Sequence, residues 1–205
     1  PENKLRIREH DESELAHYAK KTSDIEFEYP WGWGELEGIA NRGNYDLNAH
    51  QESSGKDLRY FDPNSDNKFT PSVIAPAGGL TRTLFAVLLS LYEEEELEKE
   101  VRTLFKFKFD LAPIQIGILP LSKKEELIEV CNSIKSELGP YFRTEIDVTQ
   151  SIGKRYRRQD EIGTPYCITV DFDTLEDKAV TVRDRDSMSQ ERIKIEDIKS
   201  YFDNM

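Results

Sequence analysis

The chain has few cysteines, no surplus of basic residues and no long apolar run. Among its 205 residues are two cysteines, Cys131 and Cys167, without C-x-x-C spacing, so neither a zinc site nor a disulfide framework is favoured. Lysine and arginine number 28 against 40 acidic residues, and the net charge of -12 argues against broad adhesion to nucleic acid or anionic membrane. The apolar stretch from Leu80 is interrupted at residues 81–83, which argues against a membrane span. We therefore expect a soluble, cytoplasmic protein, in which any contact with RNA would be local.

The chain also lacks an initiator methionine and the basic-then-apolar pattern of a signal peptide. It opens directly in charged sequence, which predicts that it is part of a longer protein. What is present is a globular composition, because 33% charged and 10% aromatic residues are typical of a folded chain. Its length allows one large domain or two small ones, with enough chain to bury a core.

Residues 71–91 predict a strand, a glycine turn and a helix, in that order. A β-branched run opens the stretch, residues 76–79 have turn composition, and apolar residues recur at helical spacing from Leu80. Such a turn brings backbone N–H groups close to an anion at a helix N-terminus. Arg82 lies at the wrong end of the helix for the helix dipole. Either a bound anion explains it, or it pairs with a carboxylate elsewhere in this acidic chain.

Residues 30–47 predict a glycine-rich strand. Strict alternation puts Glu35 and Glu37 on one face, and Gly34 and Gly38 leave little side-chain volume on the other. A bare face admits a flat ring or another backbone, and two carboxylates on one face can bind an ammonium group or Mg²⁺. The alternative is a solvated acidic edge, with glycines that allow close sheet packing.

The rest of the first half predicts ordinary structural elements. Residues 5–19 begin as an alternating strand and pass into a charged helix, and residues 24–29 alternate as a second strand. His10 and His17 are too far apart for a helical zinc pair, so core or surface roles are expected for both. The acidic run at residues 92–100 predicts a solvated helix end and the boundary of the first domain.

The second half alternates strands with helices, which predicts an α/β domain with a mixed sheet. The expected elements are a strand at 111–120, a helix at 123–138, a strand at 141–146, a helix at 151–161, strands at 166–172 and 179–183, and a helix at 195–202. Two D-x-D pairs, at 171 and 173 and at 184 and 186, predict turn and strand-end carboxylates, because no further ligand cluster accompanies them.

Four basic residues surround Tyr156 in the predicted helix at 151–161: Lys154, Arg155, Arg157 and Arg158. Their charges suit phosphate groups, and the tyrosine ring suits stacking on a base. The alternative is that Arg155 and Arg158 pair with carboxylates of Asp160, Glu161 or Asp171 inside the domain.

Three stretches resemble the glycyl-tRNA synthetases, a class II aminoacyl-tRNA synthetase family. From residue 71 the chain resembles P-x-V-I-x-P-x-x-G-L-x-R, that family's form of motif 3, and residues 32–50 resemble G-W-x-E-L-x-G-I-A-x-R-x-x-x-D-L-x-x-H. Residues 151–173, with 184–186, resemble the anticodon-binding domain of glycyl, prolyl, threonyl and histidyl synthetases. The resemblance implies a C-terminal portion of mixed α+β and α/β class. It comprises part of an antiparallel-sheet catalytic domain over 1–105 and an α/β anticodon-binding domain with a mixed five-stranded sheet over 106–205.

The resemblance also implies glycine–tRNA ligase activity, in which glycine and ATP with Mg²⁺ form an adenylate and tRNA-Gly takes the glycyl group. Arg82 and Glu35 are the implied catalytic residues, and Glu35 is also a possible Mg²⁺ ligand. The implied ATP-contacting positions are Glu35, Leu36, Gly79, Leu80, Thr81 and Arg82. The implied glycine-contacting positions are Ala75, Pro76, Ala77, Gly78 and Gly79. The implied tRNA-contacting residues are Lys154, Arg155, Arg157 and Arg158.

The chain departs from the family at positions 75 and 77, where alanines stand in place of the usual Glu and Ser. Losing a charge-assisted contact to the glycine ammonium costs about 1.5–3 kcal/mol, which weakens binding by about one to two powers of ten. Motif 1, which builds the family's homodimer, and motif 2, whose arginine grips the α-phosphate, are not found. We expect this chain to be inactive alone. The alternative is a non-catalytic synthetase-like module that binds nucleic acid or a protein.

Overall fold

The computed structural model describes residues 2–98, 100–203 and 205. Its contacts separate two units, Pro1–Ser90 and Leu91–Met205. The sequence-based domains, 1–105 and 106–205, remain a proposal, since residues 91–105 group with the second unit. Throughout the described ranges, every helix is too short or too polar to cross a membrane.

The first unit is built around an antiparallel sheet. Its elements in chain order are β1 (Leu5–Glu9), β2 (Lys21–Tyr29), β3 (Gly32–Gly43), α1 (Tyr45–Ser54), β4 (Tyr60–Asp62), β5 (Asn67–Phe69), β6 (Val73–Gly78) and α2 (Leu80–Leu91). Four strands pair in the order β1-β2-β3-β6, and β4 pairs with β5 as a separate hairpin. The chain turns between β2 and β3 at Gly32, whose φ of +109° is a conformation that favours glycine.

One face of this sheet carries the apolar core of the first unit. Phe27 and Tyr29 of β2 are buried there with Ala86 of α2, and Leu36 and Leu89 pack around them. Helix α2 covers this face because its apolar side chains recur every three or four residues. The opposite face is therefore left to small and polar side chains.

Two local predictions for the first unit are wrong. The turn expected at residues 76–79 is mostly strand, because β6 continues to Gly78 in antiparallel register with β3. The helix expected after β1 is a single 3-10 turn, Glu12–Glu14, closed by a capping box with Asp11. That charged stretch lacks the apolar stripe which would have held a longer helix against the sheet.

The second unit alternates strands and helices. Its elements in chain order are β7 (Tyr92–Glu96), β8 (Val101–Phe105), β9 (Ile116–Pro120), α3 (Glu125–Leu138), β10 (Thr144–Ile146), α4 (Ile152–Ile162), β11 (Tyr166–Val170), α5 (Asp173–Asp177), β12 (Ala179–Asp184), β13 (Gln190–Lys194) and α6 (Ile198–Asp203). Five strands pair in the order β10-β9-β11-β12-β13, with the first three parallel and the last two antiparallel to their neighbours. This confirms the predicted α/β domain with a mixed five-stranded sheet.

The core of the second unit lies between the sheet and its helices. Every residue of β9 is buried, and α3 turns Leu127, Ile134 and Leu138 inward, as its spacing predicts. The two cysteine thiols are free and buried, and burial raises the pKa of both Cys131 and Cys167 to about 12. At neutral pH both behave as small apolar side chains.

The acidic run at residues 92–100 begins with a strand, not with the predicted helix end. Strand β7 pairs with β8 along its whole length, and cations reach its carboxylates from the β8 side. Lys106 Nζ lies 2.7 Å from Glu93 and 3.1 Å from Glu95, and Arg102 Nη1 lies 2.8 Å from Glu95. Cross-strand neutralisation of this kind stabilises a hairpin that local charge pattern does not predict.

Candidate functional site

A β-bulge in β3 decides which way Glu35 points. Two neighbouring residues of β2 pair with Glu37 and Glu35, so Leu36 is the extra residue. The bulge reverses the alternation and puts Glu35 on the same face as Gly38. Glu35 Oε1 lies 3.1 Å from the position that a Cβ at Gly38 would take. The prediction that Glu35 and Glu37 share a face is therefore wrong.

A cavity of about 290 Å³ opens on the face of the sheet opposite α2. Ala75 and Ala77 of β6 line it together with Glu35 and small residues of β3. Pro76 and Gly78 alternate to the other face, so the predicted glycine-contacting stretch presents two methyl groups to the cavity. Neither methyl group can bind an ammonium or a carboxylate.

Most charged groups near this cavity are paired. His10 Nε2 lies 2.7 Å from Asp24 Oδ2, and Asp24 is buried. Arg42 donates to Asp46 from Nε at 2.5 Å and from Nη2 at 2.8 Å, which raises the pKa of Arg42 and lowers that of Asp46. Glu35 forms no salt bridge with any residue that the structure describes. Its carboxylate is therefore available to a ligand.

Arg82 reaches back to β3 from the first turn of α2. Its Nη1 donates to the backbone carbonyl oxygen of Glu35 at 2.5 Å. The Gly79 carbonyl oxygen caps this turn by accepting from Thr83 N–H at 2.9 Å and from Thr83 Oγ1 at 3.0 Å. Within the described ranges Arg82 has no carboxylate partner, which removes the alternative that it is held by an ion pair. The two segments assigned to ATP by resemblance therefore meet.

The remaining predicted ATP-contacting positions differ in what they can offer. The Leu36 side chain packs into the core with Phe27 and Tyr29, so a ligand on the cavity face can reach only its backbone. Leu80 is 84% exposed, and Thr81 beside it is also exposed. Both lie in the first turn of α2, where backbone N–H groups lack helical partners and suit an anion.

Glu35 fits a magnesium site only if the nucleotide supplies further ligands. The part of the chain that the structure describes contains no group of three or more His, Cys, Asp and Glu side chains that could hold a metal ion. Mg²⁺ is commonly bound by one or two carboxylates, with phosphate oxygens and water completing the shell. Glu35 is exposed and has no salt bridge in the described ranges, so it fits the role of the protein carboxylate.

The first carboxylate of each D-x-D pair in the second unit has the structural role that the sequence predicts. Asp171 Oδ1 accepts from Thr174 N–H at 2.9 Å, and Asp171 also pairs with Arg192 at 2.9 Å. Asp184 Oδ1 accepts from Ser187 N–H at 2.7 Å. These carboxylates therefore close turns at strand ends.

Arg155, one of the basic residues of α4, lies inside the second unit. It is 3% exposed, and its guanidinium donates to the backbone carbonyl oxygens of Pro120, Asp147 and Gln150. Arg155 therefore anchors the segment before α4. Because burial leaves the Arg155 guanidinium no open face, Arg155 is not among the residues that we propose to contact tRNA.

The other three basic residues of α4 differ in their surroundings: one pairs with Asp147, and two line an open groove. Arg158 pairs with Asp147, with Nε at 2.9 Å from Oδ2. Lys154 and Arg157 line a groove of about 550 Å³. Tyr156 also lines it, but its ring lies 4.8 Å from the Arg183 guanidinium carbon, so an arginine occupies one face that a base was expected to use.

Comparison with known proteins identifies the family. Residues 115–205 match the family model described as an anticodon binding domain. The glycine–tRNA ligase of Lachnospira eligens is 55% identical over 204 residues, which are 99% of this chain and 44% of that protein. The chain belongs to the glycine–tRNA ligase family. The ligases of Lachnoclostridium phytofermentans and Clostridium beijerinckii are 54% and 56% identical, over 98% and 96% of this chain and 44% and 42% of theirs.

This chain spans less than half the length of these curated glycine–tRNA ligases. The match confirms the resemblance inferred from motif 3 and from the stretch that begins at Ser151. It does not test the residue roles, and the activity, substrates and partners of a whole glycine–tRNA ligase are proposals for this chain.

Sequence reasoning missed several side chains at both places. Asp24 and His10 line the cavity, and Arg183 and Glu100 line the groove. No local pattern marks them, because each is brought to its place by strand pairing or by a contact across many residues. Asp160, which joins Arg157 to Arg183, was considered only as a partner of Arg155 and Arg158.

Proposed function

We propose that this chain supplies part of the ATP- and glycine-binding site of a glycine–tRNA ligase, together with the unit that binds the tRNA anticodon. The observation that carries the proposal is the hydrogen bond from Arg82 Nη1 to the Glu35 carbonyl oxygen. This bond fixes the guanidinium above the strand that carries Glu35 and leaves its other N–H groups for phosphate oxygens.

Adenylate formation at such a site depends on positioning and on charge neutralisation. Arg82 would orient the terminal phosphates of ATP, and Glu35 would hold Mg²⁺, which neutralises phosphate charge when bound. The chain needs no nucleophilic serine or cysteine for this reaction, since glycine itself attacks the α-phosphate.

The cavity beside Glu35 is the proposed place for glycine. Its volume of about 290 Å³ exceeds what the smallest amino acid needs. Ala75 and Ala77 add no polar contact, so we expect weak glycine binding.

The groove beside α4 is the proposed contact for tRNA-Gly. Lys154, Arg157 and Arg183 concentrate positive charge there on a chain whose net charge is -12. This arrangement supports a local, not a general, attraction to RNA. The homodimer built by motif 1 and a cytoplasmic location belong to the whole enzyme and are proposed for it alone.

Glycine-dependent exchange of pyrophosphate into ATP tests the proposal. The chain alone should show no exchange, and it should show exchange when the remaining portion of a related glycine–tRNA ligase is added. Absence of exchange in the reconstituted pair would contradict the catalytic part of the proposal. Binding of a tRNA-Gly transcript, measured separately, tests the second unit.

One observation favours a second candidate, a non-catalytic module that binds nucleic acid or a protein. Ala75 and Ala77 both face the cavity, and a binding module would not need the lost polar contacts. That candidate predicts tRNA binding without exchange in either form of the assay.

A further inference from the structure

The groove beside α4 contains a carboxylate among its cations. Lys154, Arg157 and Arg183 line it, and so does Glu100. Glu100 lies in the turn between β7 and β8, where Leu97 N–H donates to the Glu100 carbonyl oxygen at 2.9 Å. An acidic side chain in a groove that is proposed to hold a polyanion requires a physical explanation.

Glu100 accepts hydrogen bonds from two of the three guanidinium nitrogens of Arg157. Arg157 Nε donates to Glu100 Oε1 at 2.8 Å, and Arg157 Nη2 donates to the same oxygen. The third nitrogen, Nη1, lies 3.4 Å from Asp160 Oδ2. All three guanidinium nitrogens therefore face a carboxylate, and a phosphate can take the paired Nε and Nη2 positions of Arg157 only by displacing Glu100.

The two carboxylates differ in how readily they can be displaced. Asp160 is 0% exposed and binds Arg102 Nε and Arg183 Nη1, each at 2.9 Å. The Glu100 side chain is 53% exposed. Breaking a buried ion pair costs far more than breaking an exposed one, so Glu100 is the group that yields.

We propose that Glu100 is a specificity-determining residue of the RNA groove, because its carboxylate occupies Arg157 until the phosphate of a fitting RNA displaces it. The inference rests on the proposed binding of tRNA to this unit. Carboxylate and phosphate oxygens present the same geometry to a guanidinium, so Arg157 remains fully hydrogen-bonded after the exchange.

This exchange discriminates between polyanions. A single phosphate gains little by replacing Glu100, since one charge-assisted pair is lost for each one formed. An RNA that also contacts Lys154 and Arg183 gains enough to hold the displaced state, while a poorly fitting polyanion still meets the repulsion of Glu100. Specificity of this kind is a difference of affinities that a repulsive group enlarges.

The test is Glu100→Gln in the full 205-residue chain, because glutamine keeps the size of the side chain and removes its charge. The probes are a tRNA-Gly transcript and the same transcript with its anticodon replaced, with affinity measured by fluorescence anisotropy. We expect about two- to fivefold tighter binding of tRNA-Gly, as expected from removing one exposed ion pair. The altered transcript should gain more, so that the ratio of the two affinities falls.

Glu98→Gln is the matched control, since it removes the same charge from the same turn and Glu98 has no ion pair within the described ranges. Its effect should be less than half that of Glu100→Gln. The gain from Glu100→Gln should also vanish when Arg157 is already glutamine.

Three results would overturn the inference. Unchanged binding of both transcripts by Glu100→Gln, an equal gain from Glu98→Gln, or a gain that persists without Arg157 would each remove the role of Glu100 and leave tRNA binding intact. If the unaltered chain binds neither transcript, both the proposed function and this inference fail.

Discussion

At the scale of residues, two alanines decide what the cavity of the first unit offers to a ligand. Ala75 and Ala77 point into the cavity because β6 alternates in register with β3, so the departure from the Glu and Ser that the resemblance implies lies on the cavity wall. The resemblance identified both departures, and the structure shows that both side chains face the cavity. The cavity is therefore a place where function can be tested by adding groups as well as by removing them.

Ala75→Glu combined with Ala77→Ser should tighten glycine binding by about tenfold or more, because a carboxylate would then receive the ammonium group. Isothermal titration of glycine in the presence of ATP and Mg²⁺ measures the effect. Ile74→Glu is the control, since it adds the same charge to the neighbouring, 56% exposed position on the other face of β6. An equal gain from the control would show that charge alone, and not its place in the cavity, is responsible.

Arg82→Ala should weaken ATP binding by about one power of ten or more, because a charge-assisted contact to phosphate is lost. The fold should survive, since Arg82 is exposed and makes one hydrogen bond to β3. ATP titration and circular dichroism check the two statements. Arg59→Ala, which removes an exposed arginine paired with Asp57, is the control. ATP binding unchanged by Arg82→Ala would refute the assignment of this residue to the nucleotide.

At the scale of elements, the sequence predicted those whose pattern is local. Helix α3 shows its inward residues at helical spacing, and β9 is a continuous apolar run, so both were expected. The bulge at Leu36 was not, because it exists only in the pairing of β3 with β2. Strand β7 was expected to be a helix end, because a run of carboxylates is typical of a solvated surface. It forms a strand because Lys106 and Arg102, on or next to the paired strand, neutralise these carboxylates.

The end of α4 offers a test at this scale. Gly163 has a φ of +82°, and a Cβ there would lie 2.3 Å from Phe107 Cδ2 and 2.9 Å from the Phe105 carbonyl oxygen. Gly163→Ala should therefore lower the stability of the second unit by about 1–3 kcal/mol or more. Gly153→Ala in the same helix has no atom within 4 Å of the new Cβ, and it should be neutral or mildly stabilising. Chemical denaturation of both variants measures the difference, and equal stabilities would contradict the steric argument.

At the scale of the whole molecule, many arginine–carboxylate contacts offset part of the excess negative charge. In the second unit Arg158 holds Asp147, and Arg192 holds both Asp171 and Asp177. Burial alone would raise the pKa of Asp147, but hydrogen bonds from Thr149 N–H and from Arg158 outweigh it and hold that pKa below the ordinary value of an aspartate. These contacts make folding depend on pH.

A carboxylate whose pKa is lowered by folding stabilises the folded state fully when the pH is above its pKa in the unfolded chain. This stabilisation is lost as the pH falls through its pKa in the folded chain. We therefore expect the free energy of unfolding to decrease from about pH 5 to about pH 2, while it changes little from these groups above pH 5. Urea denaturation at several pH values measures the slope. Asp147→Asn should lower stability at pH 7 and flatten the acid slope, and a slope identical to that of the unaltered chain would rule out Asp147 as a contributor.

The buried arginine of β8 also determines how the anticodon-binding unit can be produced by itself. The match to the anticodon-binding-domain model starts at residue 115, yet Arg102 is 0% exposed and is hydrogen-bonded to Asp160 and to the Arg185 carbonyl oxygen. A recombinant fragment cut at residue 106 or 115 would strip one counter-ion from a carboxylate that no water reaches, which destabilises a folded protein severely. A fragment that starts at Leu91 retains the whole hairpin and is the version to express.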